Sequence, residues 1–506
     1  MTMNEALSAQ RPAATGARQP VRPMLRDMRL DGTARRFLLT VLAGFGLLRV
    51  WAMFAVPFTD TTEARYAEIA RKMVETGNWL TPQFDYGLPF WGKPPLHTWL
   101  SAGGMQVFGV NEAAARLPIL LTALAVLFLI RTWVRDIVGR DTALVATTVL
   151  ATMAMFLGAS AFVMTDMPMV LGTTLVIVGF WQAVGRGDRL WGLSVFLGLA
   201  IGMLAKGPVA VVLCAIPLAL WLALTWNWHL LRLLPWARGM AVLAVLVLPW
   251  YVAAEIATPG FLRYFLIGEH LQRFLTPGWQ GDLYGSGHQE ARGTIWLFWL
   301  MAALPWSLAP ALLLTRPGRT MTVFRTDRSG WLLYLALWAV APLVLFTMAS
   351  NILAAYVLPG LPASAVLLVV LVGQVSSGGG AARRGFAVAS LATFAFFLAV
   401  TSGAVFAPRQ IRLKTDRDLV AAADAALPDA PLHTVGGRSY SAEFYSRGRA
   451  RAALADDLTA LAKGAVPSAF SVPPDLAPEA RALGLEDLGE YGRHVLFVTP
   501  TADKVN

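Results

Sequence analysis

Apolar residues are gathered into eleven long runs, at about 37–58, 113–131, 142–163, 167–185, 190–205, 207–226, 239–256, 294–315, 330–349, 356–374 and 385–407. All but the short run at 190–205 are long enough to cross about 30 Å of hydrocarbon as a helix. Lipid offers backbone N–H and C=O groups no other partner, so each run is predicted to be helical. Most connections between runs are minimal. Two are long, Thr59–Asn111 and Ala257–Gly293, and both fall on the same side of the predicted bundle. Beyond residue 407 the pattern changes to soluble frequencies of Asp, Glu, Arg and Pro. Short apolar stretches at His433–Val435 and His494–Val498 read as strands, and Ala421–Leu427 and Asp456–Ala462 as helices. The expected organisation is a tail at 1–36, a transmembrane domain at 37–407 and a small α/β domain at 408–506. The fold class is therefore an all-α polytopic membrane protein with a small C-terminal α/β domain.

Composition agrees with this pattern. Hydrophobic residues are 56% of the 506 and charged residues 14%, against about 25% charged in a typical soluble protein. A disordered chain, a coiled coil and an ordinary soluble enzyme are excluded. The single cysteine, Cys214, lies in an apolar run and excludes an intramolecular disulfide framework. The first 34 residues show no apolar core ending in a cleavage site, so no cleaved signal peptide is expected.

The net charge of +11 raises nucleic acid as a partner until the cations are located. With the N-terminus cytoplasmic, twenty Lys and Arg fall in cytoplasmic segments and eight in the loops opposite. That is the asymmetry of the positive-inside rule. The charge is a record of topology, no nucleic-acid partner is expected, and eleven spans put the C-terminus outside.

The long loops carry the chemistry. In the first, Tyr66, Ile69, Ala70, Met73 and Val74 recur at helical spacing, predicting an amphipathic helix at the interface with Gly77 as C-cap. Asp60 and Glu63 stand at its start. They form either a capping box or a pair of carboxylates able to act as a base. Lys93, held before Pro94-Pro95 and flanked by aromatics, suits a phosphate as a point charge. Asp166, at the start of a span, is an N-cap or a site acid. Lys206, between two spans, is a snorkelling lysine or a further phosphate contact. In the second loop His270 and Arg273 lie three apart on one predicted helix face. Imidazole binds metals or moves protons, and Arg grips phosphate. Tyr356 is an interfacial aromatic or a site hydroxyl.

The run Asp60-x-x-Glu63-Ala64-Arg65-Tyr66-Ala67-Glu68-Ile69-Ala70-Arg71 is followed by Gly77-Asn78-Trp79, Lys93-Pro94-Pro95-Leu96 and Phe108-Gly109-x-Asn111-Glu112-x-x-x-Arg116-Leu117-Pro118. Thr165-Asp166, Ala205-Lys206-Gly207-Pro208, Glu269-His270-x-x-Arg273-Phe274 and Tyr356-Val357-Leu358-Pro359 come later. These motifs, in this order over about residues 37–370, resemble the bacterial protein O-mannosyltransferase and aminoarabinose (lipid A) transferase superfamily of GT-C glycosyltransferases. The resemblance implies transfer of a sugar from a polyprenyl phosphate, usually undecaprenyl phosphate, at the periplasmic face of the bacterial inner membrane. The acceptor is a lipid such as lipid A, a glycan or a protein. It implies that Lys93 and Arg273 hold the donor phosphate, assisted by Lys206 and Tyr356, and that Asp60, Glu63 and Asp166 are the catalytic acids. Arg65, Tyr66, Glu269 and His270 complete the candidate site.

The chain departs from that pattern in four places. Thr62-Glu63 stands where many relatives have Asp-Glu, leaving the base open between Asp60 and Glu63. Gly92 stands where aminoarabinose transferases have a Glu that is associated, with the loop His, with a metal; a divalent metal at His270 is thereby put in doubt. Ile352-Leu353-Ala354 replaces a Lys-Leu-Pro, and eleven spans are predicted where the relatives have thirteen. A transporter or lipid-linked sugar flippase is the alternative, with Arg49 inside the first span as its strongest point. A structural subunit that binds a partner through its loops is a third.

Overall fold

The computed structural model describes residues 25–285, 288–375 and 380–500. Residues 1–24 of the expected tail and 501–506 of the C-terminal domain lie outside the described residues. Among those described, eight helices are long and apolar enough to cross a membrane, and ten if each of two bent pairs counts as one span. The chain is a multi-pass membrane protein. Large apolar side chains stay exposed along these helices, among them Leu47, Phe54, Phe128 and Val245, a surface that water does not tolerate and lipid does.

Helix Asp166–Arg186 is the axis of the bundle and its apolar window is 89% buried. It packs on Arg189–Lys206, where Gly172 and Gly198 oppose one another. A Cβ on Gly172 would lie 2.7 Å from the Gly198 carbonyl oxygen, so the approach depends on small residues. Away from the loops the core is aromatic. Trp133 meets Trp331 at 5.5 Å, and Tyr334 meets Trp181 at 5.0 Å and Trp221 at 5.5 Å. Their polar atoms are used where a partner is in reach: Tyr334 donates to the Ile177 carbonyl at 2.7 Å and Trp338 to that of Pro359 at 2.9 Å.

Two expected spans are not continuous helices. The run at 142–163 forms Arg140–Thr152 and Ala154–Ala159, broken at Met153. The run at 294–315 forms Thr294–Ala302 and a second arm at 306–314, bent by 116°. The two breaks partner each other. The Ala154 N–H donates to the Leu304 carbonyl at 2.9 Å, and the Trp306 indole to the Thr152 hydroxyl at 2.9 Å. Irregular backbone at membrane depth survives only where protein satisfies it. The run at 330–349 is helix Trp331–Thr347, entered through Pro317–Thr326 at 114°. Arg49, inside the first span, donates to the Gly158 carbonyl at 2.9 Å and so ties that span to the short helix Ala154–Ala159.

The C-terminal region is a five-stranded mixed sheet. Strands Leu432–Val435, Ala450–Ala453 and Ala469–Val472 are parallel, with Leu432–Val435 in the middle. His494–Val498 and Glu486–Tyr491 add antiparallel beyond Ala469–Val472. Helix Arg417–Ala426 covers the expected helical stretch and packs on this sheet.

The loop helix is Thr62–Thr76, closed by Gly77 in the left-handed conformation. Its apolar face is buried as its pattern predicts. Its polar face is not open to water: Glu68, Arg71 and Lys72 are buried as well. The C-terminal domain covers them through helix Tyr440–Tyr445, with Lys72 donating to Glu443 at 3.1 Å. The helix is a layer between bundle and domain, and not an interfacial helix lying on lipid.

Candidate active site

The site assembles from segments that are distant in sequence. After the small hairpin Gln83–Asp85/Leu88–Pro89 the chain turns through Gly92 and enters helix Leu96–Phe108 behind Pro95. A Cβ at Gly92 would lie 2.9 Å from the Phe90 ring and 3.3 Å from Tyr284, so the Glu that the resemblance leads one to expect here would require these rings to shift. The turn aims Lys93 at Glu269, 2.7 Å away.

Glu269 comes from a π-helix, Arg263–Gln272. Its wider i→i+5 turn brings the His270 ring beside the Phe265 carbonyl, with Nδ1 at 2.8 Å. Glu269 is buried and has three further contacts: Tyr264 donates to it at 3.2 Å, and Arg273 reaches both of its oxygens at 3.3 Å. Arg273 also binds Asp282 at 3.1 Å. One carboxylate therefore answers two cations. Burial alone would raise the Glu269 carboxyl, but Lys93 and Arg273 outweigh it and hold it below its ordinary range. Arg273 is correspondingly held above its ordinary range: burial opposes the charge, and Glu269, with Tyr356 and Asp282, more than restores it. The Arg273 Nε is buried without a partner.

A second ion pair lies alongside. Lys206 Nζ donates to Asp166 at 2.5 Å and sits 4.6 Å from the centre of the Tyr356 ring. Lys206 and Asp166 are both buried. The two pairs are joined through His270, whose Nε2 lies 3.2 Å from the Lys206 carbonyl. Asn351 completes the frame by donating to the Arg273 and Thr276 carbonyls at 2.6 and 2.8 Å.

Lys93, Lys206, Asp166, Glu269, Arg273 and Tyr356 are thus brought together. Arg65 and Tyr66 form the neighbouring wall: Arg65 donates to the Tyr284 carbonyl at 2.6 Å, and Tyr66 is buried edge-on to His97 at 4.7 Å. His270 and Arg273 do not act from one face, because the π-helix turns them to different partners. Burial holds the His270 ring below its ordinary range, and its two nitrogens face the Phe265 and Lys206 carbonyls. No group of three His, Cys, Asp or Glu side chains able to hold a metal occurs among the described residues. The donors around His270 do not fit the divalent ion that a resemblance to aminoarabinose transferases brings to mind.

Asp60 and Glu63 lie elsewhere. Glu63 is buried in a bidentate pair with Arg116, at 2.8 and 2.7 Å, and accepts from the Val163 N–H at 3.2 Å. Asp60 forms no capping box, since helix Thr62–Thr76 has no side-chain cap bond. Instead it accepts from the Ser441 N–H at 3.1 Å, the Ser441 hydroxyl at 2.6 Å and the Ser439 hydroxyl at 3.1 Å. Both acids are engaged in holding elements together.

Sequence reasoning missed Asp282, Tyr264 and Tyr284, which sit in the second loop outside any motif. Tyr284 donates to the Pro89 carbonyl at 2.8 Å and accepts from the Trp91 N–H at 2.9 Å, stitching the two long loops together. Burial pushes its hydroxyl up to about 12. His97 was missed too; burial pushes it down to about 3, so it is neutral at ordinary pH. The density of aromatics in these loops was the available signal.

A model of the family described as dolichyl-phosphate-mannose-protein mannosyltransferase matches residues 40–265. The chain is 33% identical over 320 residues to the undecaprenyl phosphate-alpha-4-amino-4-deoxy-L-arabinose arabinosyl transferase of Erwinia tasmaniensis, covering 60% of this chain and 54% of that one. It is 32% identical over 368 residues to the protein of the same name from Pseudomonas aeruginosa, covering 68% and 61%. The chain thus spans a little over half the length of these curated relatives. The solved structure of ArnT from Cupriavidus metallidurans bound to undecaprenyl phosphate shares the fold, with a TM-score of 0.76 at 20% identity over 92% of this chain and 98% of that one. By its matched sequence and its shared fold, the chain is similar to the protein mannosyltransferases and aminoarabinose transferases.

Proposed function

We propose that this protein is a membrane glycosyltransferase that moves a sugar from undecaprenyl phosphate to a lipid acceptor such as lipid A. The observation that carries the reading is the convergence of Lys93 and Arg273 on one buried carboxylate, with Lys206 and Tyr356 alongside. Cleavage of the bond between the anomeric carbon and the phosphate oxygen leaves the electron pair on phosphate. That leaving group is already an anion and needs fixed positive charge more than a proton. Lys93 and Arg273 supply it from two loops, with Lys206 and the Tyr356 hydroxyl next to them. Of the three candidate acids, Asp166 stands inside the cluster and is assigned to orient the acceptor. Asp60 and Glu63 are assigned to the framework. The reading places the protein in the bacterial inner membrane with its N-terminal segment cytoplasmic. The site and the domain from residue 408 onward then face the periplasm.

Relatives named for the transfer of 4-amino-4-deoxy-L-arabinose make that donor the first to test. Proteoliposomes holding the full chain, the undecaprenyl phosphate-linked sugar and lipid A are expected to yield lipid A heavier by one sugar, read by mass spectrometry. Lys93→Ala and Arg273→Ala are each expected to lower kcat/KM by about a hundredfold, the usual cost of one charge-stabilising donor. Full donor use in both variants refutes the phosphate clamp. Movement of the lipid-linked sugar across the bilayer without transfer selects the flippase alternative.

A further inference from the structure

The last span ends in a feature that the transfer site does not use. Residues 408–417 read Pro-Arg-Gln-Ile-Arg-Leu-Lys-Thr-Asp-Arg, and they follow directly on helix Gly380–Phe406. Arg409, Arg412 and Lys414 are all exposed. Arg493 joins them from the turn between the last two strands, where Gly492 packs near the Leu413 and Thr415 carbonyls. None of the four has an ion-pair partner among the described residues, whereas neighbouring Arg417 has Glu112 at 3.8 Å and Asp418 at 3.7 Å.

The backbone holds this collar rigidly. Ile411, Arg412 and Leu413 donate back to Ala407, Arg409 and Pro408 at 3.2, 3.0 and 2.9 Å, and the Lys414 carbonyl accepts from the Asp60 N–H at 2.8 Å. That last bond fixes the collar to the residue just before the loop helix, on the face that carries the candidate site. Exposed Phe406 and Ile411 lie among the cations, so apolar and charged side chains alternate where a span meets the headgroups. Topology does not explain the cations. The positive-inside rule depletes Lys and Arg near span ends on this face, whose loops between spans carry eight against twenty in the segments opposite. Unpaired cations kept where that rule disfavours them need a local anion.

We propose that Arg409, Arg412, Lys414 and Arg493 form a docking collar for the phosphate groups of an anionic lipid in the adjacent leaflet. Cations beside a bilayer gain from anionic headgroups and lose that gain on zwitterionic lipid. The exposed Phe406 and Ile411 select a lipid headgroup over free phosphate, because they offer the acyl region a surface beside the charges. The inference rests on the membrane reading and not on the transfer reaction.

The test uses the full chain in detergent micelles with photo-crosslinkable phosphatidylglycerol, and phosphatidylcholine carrying the same crosslinker. Peptide mapping is expected to find the phosphatidylglycerol probe on 406–417 and 491–494 at least tenfold over the phosphatidylcholine probe. Arg409→Gln, Arg412→Gln and Lys414→Gln combined are expected to lower that labelling tenfold or more, at about fivefold per cation. Arg409→Lys with Arg412→Lys is expected to keep it. Equal labelling of this segment by both probes overturns the proposal on the wild-type protein alone. So does labelling that the glutamine variant leaves unchanged, or that inorganic phosphate displaces at the same concentration as the lipid.

Discussion

Glu269 decides how strongly the site holds its own cations. It lies 2.7 Å from Lys93 and 3.3 Å from Arg273, so under the proposed function a donor phosphate entering between those cations competes with a carboxylate already in place. Asp282 keeps hold of Arg273 when that happens. On the proposed function, the internal anion limits affinity and favours release of a polyprenyl phosphate product. Glu269→Gln removes the competing charge and keeps the shape. Undecaprenyl phosphate is expected to bind this variant about tenfold more tightly, about 1.4 kcal/mol, with a lower kcat if release of product limits turnover. Binding measured by calorimetry in detergent decides the matter. Unchanged or weaker affinity means that Glu269 positions the cations and does not compete for them. Much of this cluster was legible because motif order and loop lengths placed Lys93, Asp166, Lys206, Arg273 and Tyr356 on one face. Which atoms pair was not legible. Asp282 has no motif, and the π-helix that separates His270 from Arg273 leaves no mark in hydrophobic periodicity.

At the scale of elements, the Glu63–Arg116 pair anchors the loop helix to a membrane span. Arg116 also donates to the carbonyls of Met53, Val56 and Pro57, at 3.2, 2.6 and 3.4 Å, so the pair locks the end of the first span, the second span and helix Thr62–Thr76 at one point. Removing one member of a buried pair strands the other, at a cost of about 3 kcal/mol. Glu63→Ala is expected to lower the thermal midpoint of the purified protein clearly. Glu63→Ala combined with Arg116→Leu is expected to lie closer to the wild type than Glu63→Ala alone, because no uncompensated charge remains. A double variant less stable than both singles refutes the anchor. The sequence showed Glu63 and Arg116 in two separate motifs, the spacing of Asp60 and Glu63 also suited a catalytic acid, and only the fold separates these roles. The broken runs at Met153 and Leu304 were illegible for a related reason. Apolarity reports which residues avoid water, whereas the breaks depend on a backbone bond between segments 150 residues apart, Ala154 to Leu304.

For the whole molecule, the question is what joins the soluble domain to the bundle. Asp60 accepts from Ser439 and Ser441, and the Ser439 hydroxyl also lies 2.5 Å from Asp416. Ser439 has one proton for two carboxylates. Its shorter contact is to Asp416, so the Asp60 contact at 3.1 Å is the weaker of the two. Burial raises the Asp60 carboxyl above its ordinary range, Ser441 partly offsets this, and Asp416 adds to the rise. His494 faces the same pair, 3.4 Å from Asp416. Docking therefore raises the Asp60 carboxyl above its ordinary value of about 3.9 and favours its protonated form. A raised acid contributes its full stabilisation below that ordinary value and loses it as pH rises through the raised one. Docking is thus expected to be firmer in acid and to loosen as pH rises through that window. Asp60→Asn, neutral at every pH, is expected to keep the domain docked and to flatten the dependence. Hydrogen exchange of the Tyr440–Tyr445 amides across pH, corrected for intrinsic exchange, reads this directly. Equal pH dependence in Asp60→Asn and the wild type assigns the effect to other charged groups of that interface, among them Lys72, Glu443, Arg438 and His494, and removes Asp60 from the account.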